Sequence, residues 1–124
     1  MFDHISIGVA DFARSTAFYD AALATLGVKP LMVHGGMRGY GVERPQFWIG
    51  SPDGGRVAVP PHGHVCFVAK DRAAVHAFHA ACLAHGGRDN GAPGLRPHCH
   101  AAYYAAFAFD PDGYQVEAVC HRPS

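Results

Sequence analysis

The chain repeats itself, and the repeat limits what it can fold into more than any other feature. Asp3-His4-Ile5-Ser6-Ile7-Gly8-Val9 returns sixty residues later as Gly63-His64-Val65-Cys66-Phe67-Val68-Ala69. In each copy a histidine opens a short apolar run, and an aspartate after it, Asp11 or Asp71, starts a segment of helical character. Ala17-Phe18 then falls on Ala77-Phe78, Leu23-Ala24 on Leu83-Ala84 and Gly27 on Gly87, so nine of the twenty-four positions from His4 to Gly27 match. Two copies at a period longer than the small solenoid repeats predict a duplicated fold with pseudo-twofold geometry. Residues 1–60 form the first module and residues 61–124 the second, together one compact domain.

The repeat extends toward the module ends at an offset of fifty-nine, where Pro52-Asp53-Gly54 answers Pro111-Asp112-Gly113. Each triplet precedes a strand-like run, Val57 to Val59 or Val116 to Val119. That alignment predicts a strand over Arg56 to Val59 and sets Ala58 opposite Glu117. The duplication then supplies two histidines and one carboxylate.

In order, period-two alternation predicts a strand from Phe2 to Val9. Asp11 caps a helix whose apolar side is Phe18, Ala22, Leu23 and Leu26, and Gly27 ends it. Leu31 to Val33 returns as a strand. The glycine-rich run from His34 to Gly41 invites a phosphate-binding reading, but it lacks the lysine and hydroxyl of a P-loop and the spacing of a dinucleotide site. A hairpin leading into a strand is expected there, with Phe47-Trp48-Ile49 as a further strand. Pro60-Pro61-His62-Gly63 marks the module boundary. The second module repeats strand and helix, with Asp71 as cap, Val75, Phe78, Cys82 and Leu83 on the apolar side, and His76 and His85 solvated. Arg88 to His100 reads as a long loop rich in proline and glycine, of the kind that covers a site. Strands from Ala102 to Phe109 and from Tyr114 to Cys120 follow. Each module is therefore strand, helix, three strands, and the class is α+β.

Ten basic and ten acidic side chains cancel without runs of either sign, which argues against nucleic-acid or anionic-membrane partners. No apolar run approaches a membrane span, and no basic leader precedes an apolar core. A cytoplasmic location is expected. The four cysteines lack metal or redox spacing and read as structural.

The chemistry lies in the matched histidines and the unmatched carboxylate. On the last strand Gln115, Glu117, Val119 and His121 share one face. Glu117 within an apolar run is costly in a dry core unless paired or bound to a cation. A curved sheet built from both modules would gather His4, His64 and Glu117, and two imidazoles with one carboxylate suit Fe, Mn, Zn, Ni or Co in the divalent state. Alternatively, the histidines are strand-edge residues and Glu117 pairs with an arginine. His121 shares the Glu117 face as a lesser candidate.

The opening from Asp3 to Val9, the Ala17-Phe18-Tyr19 helix, the His64 strand and the closing Asp110-Pro111-Asp112-Gly113-Tyr114-Gln115-Val116-Glu117 resemble the vicinal oxygen chelate superfamily. That superfamily holds glyoxalase I, fosfomycin and bleomycin resistance proteins, and extradiol dioxygenases. The resemblance covers almost the whole chain. It implies two βαβββ modules forming a cupped mixed sheet, the glyoxalase/bleomycin resistance/dioxygenase fold, with a divalent metal at its base. It also implies homodimers whose modules swap, placing His4 with His64 and Glu117 of the other subunit, and a small-molecule substrate that chelates the metal through vicinal oxygens. Glyoxalase I has a fourth ligand near the end of the first module, where the fifty-nine-residue offset puts Ala58. The implied reaction is that of a lyase, isomerase or extradiol dioxygenase, with His98, His100 and Tyr104 as proton carriers or hydrogen-bond donors. The alternative is a metal-free binding protein like the bleomycin resistance proteins, using an aromatic groove of Phe47, Trp48 and Tyr103 or Tyr104.

Overall fold

The alternation and capping signals place the elements. The computed structural model describes all residues, Met1–Ser124. The first module runs β1 (Ile5–Gly8), α1 (Phe12–Ala24), β2 (Lys29–His34), β3 (Met37–Gly41) and β4 (Pro45–Gly50). The second runs β5 (His64–Val68), α2 (Arg72–Ala84), β6 (Arg88–Leu95), β7 (Tyr104–Phe109) and β8 (Gln115–Cys120). Each module is one four-stranded mixed sheet, in the orders β1-β4-β3-β2 and β5-β8-β7-β6. The first strand pairs parallel with the last, and the others are antiparallel.

Both helices obey the sixty-residue offset residue for residue. Each starts at its aspartate, whose carboxylate accepts from the amide three residues on: Asp11 from Arg14 at 3.0 Å and Asp71 from Ala74 at 2.8 Å. These caps satisfy amides the helix leaves free. Gly27 ends the first at φ +76° and Gly86 the second at φ +97°, a region glycine occupies without a Cβ penalty. The run from His34 to Gly41 is a hairpin, with Gly35 and Gly36 both at positive φ. That fits the tight two-residue turn whose twist suits strand pairs.

Phe18, Tyr19, Ala22 and Leu23 of α1 pack in one buried cluster with Phe78 and Cys82 of α2. Tyr40, Phe47 and Ile49 come from the first sheet, and Ala108, Val116 and Ala118 from the second. Burying the larger of these side chains contributes about 1.5–3 kcal/mol each. The modules are also joined by polar groups. Buried Asp110 accepts from the Tyr19 hydroxyl at 2.6 Å, Asp112 accepts from Arg14 at 2.8 Å, and the Tyr114 hydroxyl donates to the Gly8 carbonyl at 2.8 Å. Burial raises the pKa of both Asp110 and Tyr19.

Three expectations are corrected. Arg56 to Val59 forms no strand. The Pro52-Asp53-Gly54 turn follows the last strand of its module, whereas Pro111-Asp112-Gly113 precedes the last strand of the other. The triplets match in sequence because both make turns, not because they are equivalent. Parallel registers Ile5 to Phe47 and Val65 to Val116 make Trp48, not Ala58, the counterpart of Glu117. Finally, Arg88 to Leu95 is an edge strand rather than loop, its ladder broken around Gly91. An edge tolerates Pro93, which has no amide to donate. The true loop, residues 96–103, has only the two-residue Gly35-Gly36 turn as its counterpart.

Candidate functional site

Strand parity decides which residues meet. On the sheet face away from α2, the register rows are Arg88, Phe109, Gln115 and His64, then Gly91, Phe107, Glu117 and Cys66. Glu117 is 2% exposed. Its Oε1 lies 2.9 Å from Nε2 of His64, and its Oε2 accepts from the Tyr103 hydroxyl at 2.5 Å. Both oxygens of the buried carboxylate are therefore engaged, as burial requires. The Tyr103 pKa is raised, chiefly by its hydrogen bond to Glu117 and then by desolvation, so the phenol holds its proton. Cys66, exposed at the sheet edge, faces the same carboxylate, and local desolvation first, then the Glu117 charge, pushes its thiol up to about 12. Cys66 thus neighbours the Glu117 carboxylate, which the reading of the four cysteines as structural did not anticipate.

The 96–103 loop is closed at its neck, where the Arg96 amide donates to the Tyr103 carbonyl at 2.7 Å. His100 Nδ1 accepts from the Ala102 amide at 3.1 Å, which leaves its Nε2 to donate to His121 Nδ1 at 2.8 Å. Both rings stand edge-on to Tyr103 at 5.4 Å between centroids. His100 and His121 therefore tie the loop to the end of β8 and brace the Tyr103 ring. His98 is exposed, outside this hydrogen-bonded cluster.

Tyr104 goes elsewhere. It pairs with Cys120 on the helix face of the sheet, where its hydroxyl meets His76 Nε2 at 2.6 Å beneath Arg72. The phenol at Glu117 is that of Tyr103, one residue earlier. His76 is accordingly bonded rather than merely solvated.

His4 sits on the corresponding face of the first sheet, with Ser6 and Trp48. Its Nδ1 donates to Asp3 at 2.6 Å, and Asp3 also takes Arg44 at 3.2 Å. These partners lower the Asp3 pKa, the His4 hydrogen bond first, and the bond at Nδ1 leaves Nε2 of the exposed ring without a hydrogen-bond partner. Within one chain no three His, Cys, Asp or Glu side chains are arranged to hold a metal ion. The chain brings His64 and Glu117 together and keeps His4 apart.

Two hollows border His4, and neither is lined by His64, Glu117 or Tyr103. A cleft of about 370 Å³ between the edges of β1 and β5 is lined by His4, Ile5, Phe47, Val65, Cys66 and Phe67 among others. A shallower one of about 260 Å³ lies over His4, Ser6, His34, Met37 and Trp48. Phe47 and Trp48 therefore line different hollows, and Tyr103 and Tyr104 lie on opposite faces of the second sheet, so the four aromatics do not line one groove. The sequence placed Tyr103 only in an aromatic groove rather than at Glu117, and missed the neighbouring Cys66 and the bracing role of His121. Parity on β5 and β8 could have found Cys66.

A family described as the Glyoxalase/Bleomycin resistance protein/Dioxygenase superfamily matches residues 1–118. A glyoxalase/bleomycin resistance protein from Albidiferax ferrireducens T118 is similar at 35% identity and TM-score 0.86, over 97% of this chain and 98% of that one. Lactoylglutathione lyase from Agrobacterium tumefaciens is similar in fold at 19% identity and TM-score 0.65, over 97% and 92%. The fosfomycin resistance protein FosX from Listeria monocytogenes is similar in fold at 15% identity and TM-score 0.71, over 97% and 92%. Comparison with curated protein sequences returned no match. No helix is long and apolar enough to cross a membrane.

Proposed function

We propose that this chain, which belongs to the Glyoxalase/Bleomycin resistance protein/Dioxygenase superfamily, is a metal-dependent enzyme acting on a small molecule that chelates a divalent transition metal through vicinal oxygens. The observation that carries the reading is the Glu117 carboxylate, buried yet 2.9 Å from the half-exposed His64 ring. His64 and Glu117 would hold the ion with His4 from a second copy. The donor set fits: neutral imidazole and carboxylate suit Fe, Mn, Zn, Ni or Co. Asp3 at Nδ1 of His4 is the outer carboxylate that orients a ligating histidine through its other nitrogen. A homodimer is further supported by the first module, whose His4 face is open and whose edge strand β2 is exposed along its length, Leu31, Met32 and Val33 included.

A bound divalent ion supplies Lewis acidity, stabilising negative charge on an oxygen of the substrate. The chain's own groups do the rest. Tyr103 keeps its proton at neutral pH and fixes Glu117 by donating to Oε2. That single O–H serves one acceptor at a time, so it would donate to charge developing on a neighbouring oxygen by turning from Oε2. His100 and His121 hold the Tyr103 ring, and the loop screens this corner from water. His98, exposed on the same loop, is the remaining proton carrier. The cleft beside His4 and Cys66 is of small-molecule size.

Elemental mass spectrometry on protein loaded anaerobically with Fe, Mn, Zn, Ni or Co tests this, paired with subunit mixing. One ion per chain is expected, with none in His4→Ala or Glu117→Ala. Mixing and refolding those two variants together should restore one wild-type site per heterodimer. Failure of every ion to bind would falsify the metal reading, and restoration of no site would place His4 outside the centre.

A further inference from the structure

The second sheet carries two guanidiniums that no carboxylate neutralises, on the same face as Glu117. The arginine ion pairs of the chain are made by Arg14, Arg38 and Arg44. Arg88 and Arg96 instead lie over aromatic rings, Arg88 over Phe109 at 4.7 Å and Arg96 over Phe107 at 5.3 Å. Asp89, the acidic residue of β6, alternates to the helix face and pairs with His79 at 2.8 Å, so it cannot serve either one. Glu117 is already committed to His64 and Tyr103.

The place of Arg96 is built into the strand. A Cβ on Gly91 would stand 3.3 Å from its Nη2 and one on Gly94 3.2 Å from its Nη1. The two glycines leave the sheet bare where the guanidinium lies. Two carbonyls locate it, Ala92 accepting from Nη2 at 2.8 Å and Leu95 from Nη1 at 3.5 Å. Arginine has five N–H donors, so most remain for a ligand. A flat, aromatic-backed, carbonyl-anchored guanidinium is preorganised for the paired oxygens of a carboxylate or phosphoryl group. Phe107 and Phe109 are the register neighbours of Glu117 and Gln115. At about 4.8 Å per strand, β6 therefore lies about 10 Å from β8, a span one small molecule can bridge.

We propose that Arg88 and Arg96 form an oxyanion site on this face, so that the molecule drawn to His64 and Glu117 carries a carboxylate or phosphoryl group at its other end. That substrate class rests on the metal-site reading, but the anion site does not. The test is NMR of ¹⁵N-labelled protein freed of metal on a chelating resin, titrated at constant ionic strength with malonate, inorganic phosphate or chloride. Malonate or phosphate should give saturable shifts of the Arg88 and Arg96 Nε–H signals, the tighter of the two naming the chemistry, while chloride gives none. Arg88→Met and Arg96→Met keep the apolar cover on the rings and remove the charge. Each should weaken binding about tenfold or more, whereas Arg56→Met, on a distant exposed loop, should not. Glu117→Gln should bind the oxyanion as well as wild type or better while losing metal, so failure of the metal reading leaves this result standing. Shifts that never saturate, shifts that chloride reproduces, or affinity unchanged in the double Arg→Met variant would overturn the site.

Discussion

The two modules share a fold and differ in what they do with it. Helix, caps and first strand repeat at one offset, and His4 and His64 hold matching positions. Past β2 and β6 they diverge. The first turns on Gly35-Gly36, and the second inserts the 96–103 loop with Tyr103 and the bracing His100. In the row two residues along from the first-strand histidine, Trp48 stands opposite Ser6 in one module and Glu117 opposite Cys66 in the other. Duplication thus conferred a scaffold and an imidazole twice, while the carboxylate and its cover belong to one copy. Even matched glycines diverge. Gly27 ends a helix in open space, whereas a Cβ at Gly87 would meet Phe18 of the other module at 2.7 Å.

The largest effect should come from removing the asymmetric carboxylate. Glu117→Ala should weaken the preferred metal by on the order of 1,000-fold, beyond the ~10–100-fold that loss of an outer partner costs. Trp48→Ala at the equivalent position should change it less than about threefold. Competition with a chelating dye measures both, and equal losses would erase the functional difference between the modules.

Next in size is the joint between them. Asp110 accepts from Tyr19, Asp112 and Tyr114, so Asp110→Ala strands three donors and should cost about 3 kcal/mol in urea unfolding. Its pKa is raised by burial. The folded state therefore holds the proton more tightly than the unfolded chain. Its contribution to stability is full below the ordinary carboxylate pKa and falls as pH rises through the raised one. Unfolding free energy of wild type minus that of Asp110→Asn should decline across that interval, and an increase would reverse the assignment.

Much of this was legible in the sequence, and where it was not the reason is physical. Caps, hairpin and the face carrying Glu117 follow from local rules, since parity and amide accounting need no tertiary information. The end of the first module misled because Pro-Asp-Gly is turn chemistry usable before or after a strand; only the parallel register exposed Trp48. Arg88 to Leu95 read as loop because proline and glycine weaken a strand locally, while an edge position and the guanidinium over Gly91 and Gly94 accommodate them. Tyr103 was passed over for Tyr104 because adjacent tyrosines point oppositely once a strand begins, and where it begins depends on the loop closure at Arg96. His4, exposed beside Asp3, is not brought to His64 and Glu117 within one chain, and no local rule in the sequence shows that separation.

The loop gives the third contrast. Tyr103→Phe removes the hydrogen-bond donor and should lower kcat about 100-fold with KM nearly unchanged, once a chelating substrate is in hand. Tyr104→Phe loses only its bond to His76 and should stay within twofold. A reversed ranking would move the working phenol to the helix face, against the strand parity.

The smallest effect tests whether the asymmetry can be undone. Trp48 lies on the His4 face, in the row that holds Glu117 in the other module, and borders an open hollow. A carboxylate placed there would be solvated rather than stranded, so Trp48→Glu should fold with little loss beyond the ring's own packing. If the two copies' faces meet at one ion, that carboxylate joins two histidines and Glu117 as a fourth donor. It should then tighten the metal about tenfold without changing the ratio of one ion per chain. Two ions per chain would instead mean that each module can build a centre alone, from His4 with the introduced carboxylate as from His64 with Glu117. Unchanged affinity and stoichiometry would mean the open face of the first module does not reach the metal, and the pseudo-symmetry would then be one of fold without being one of site.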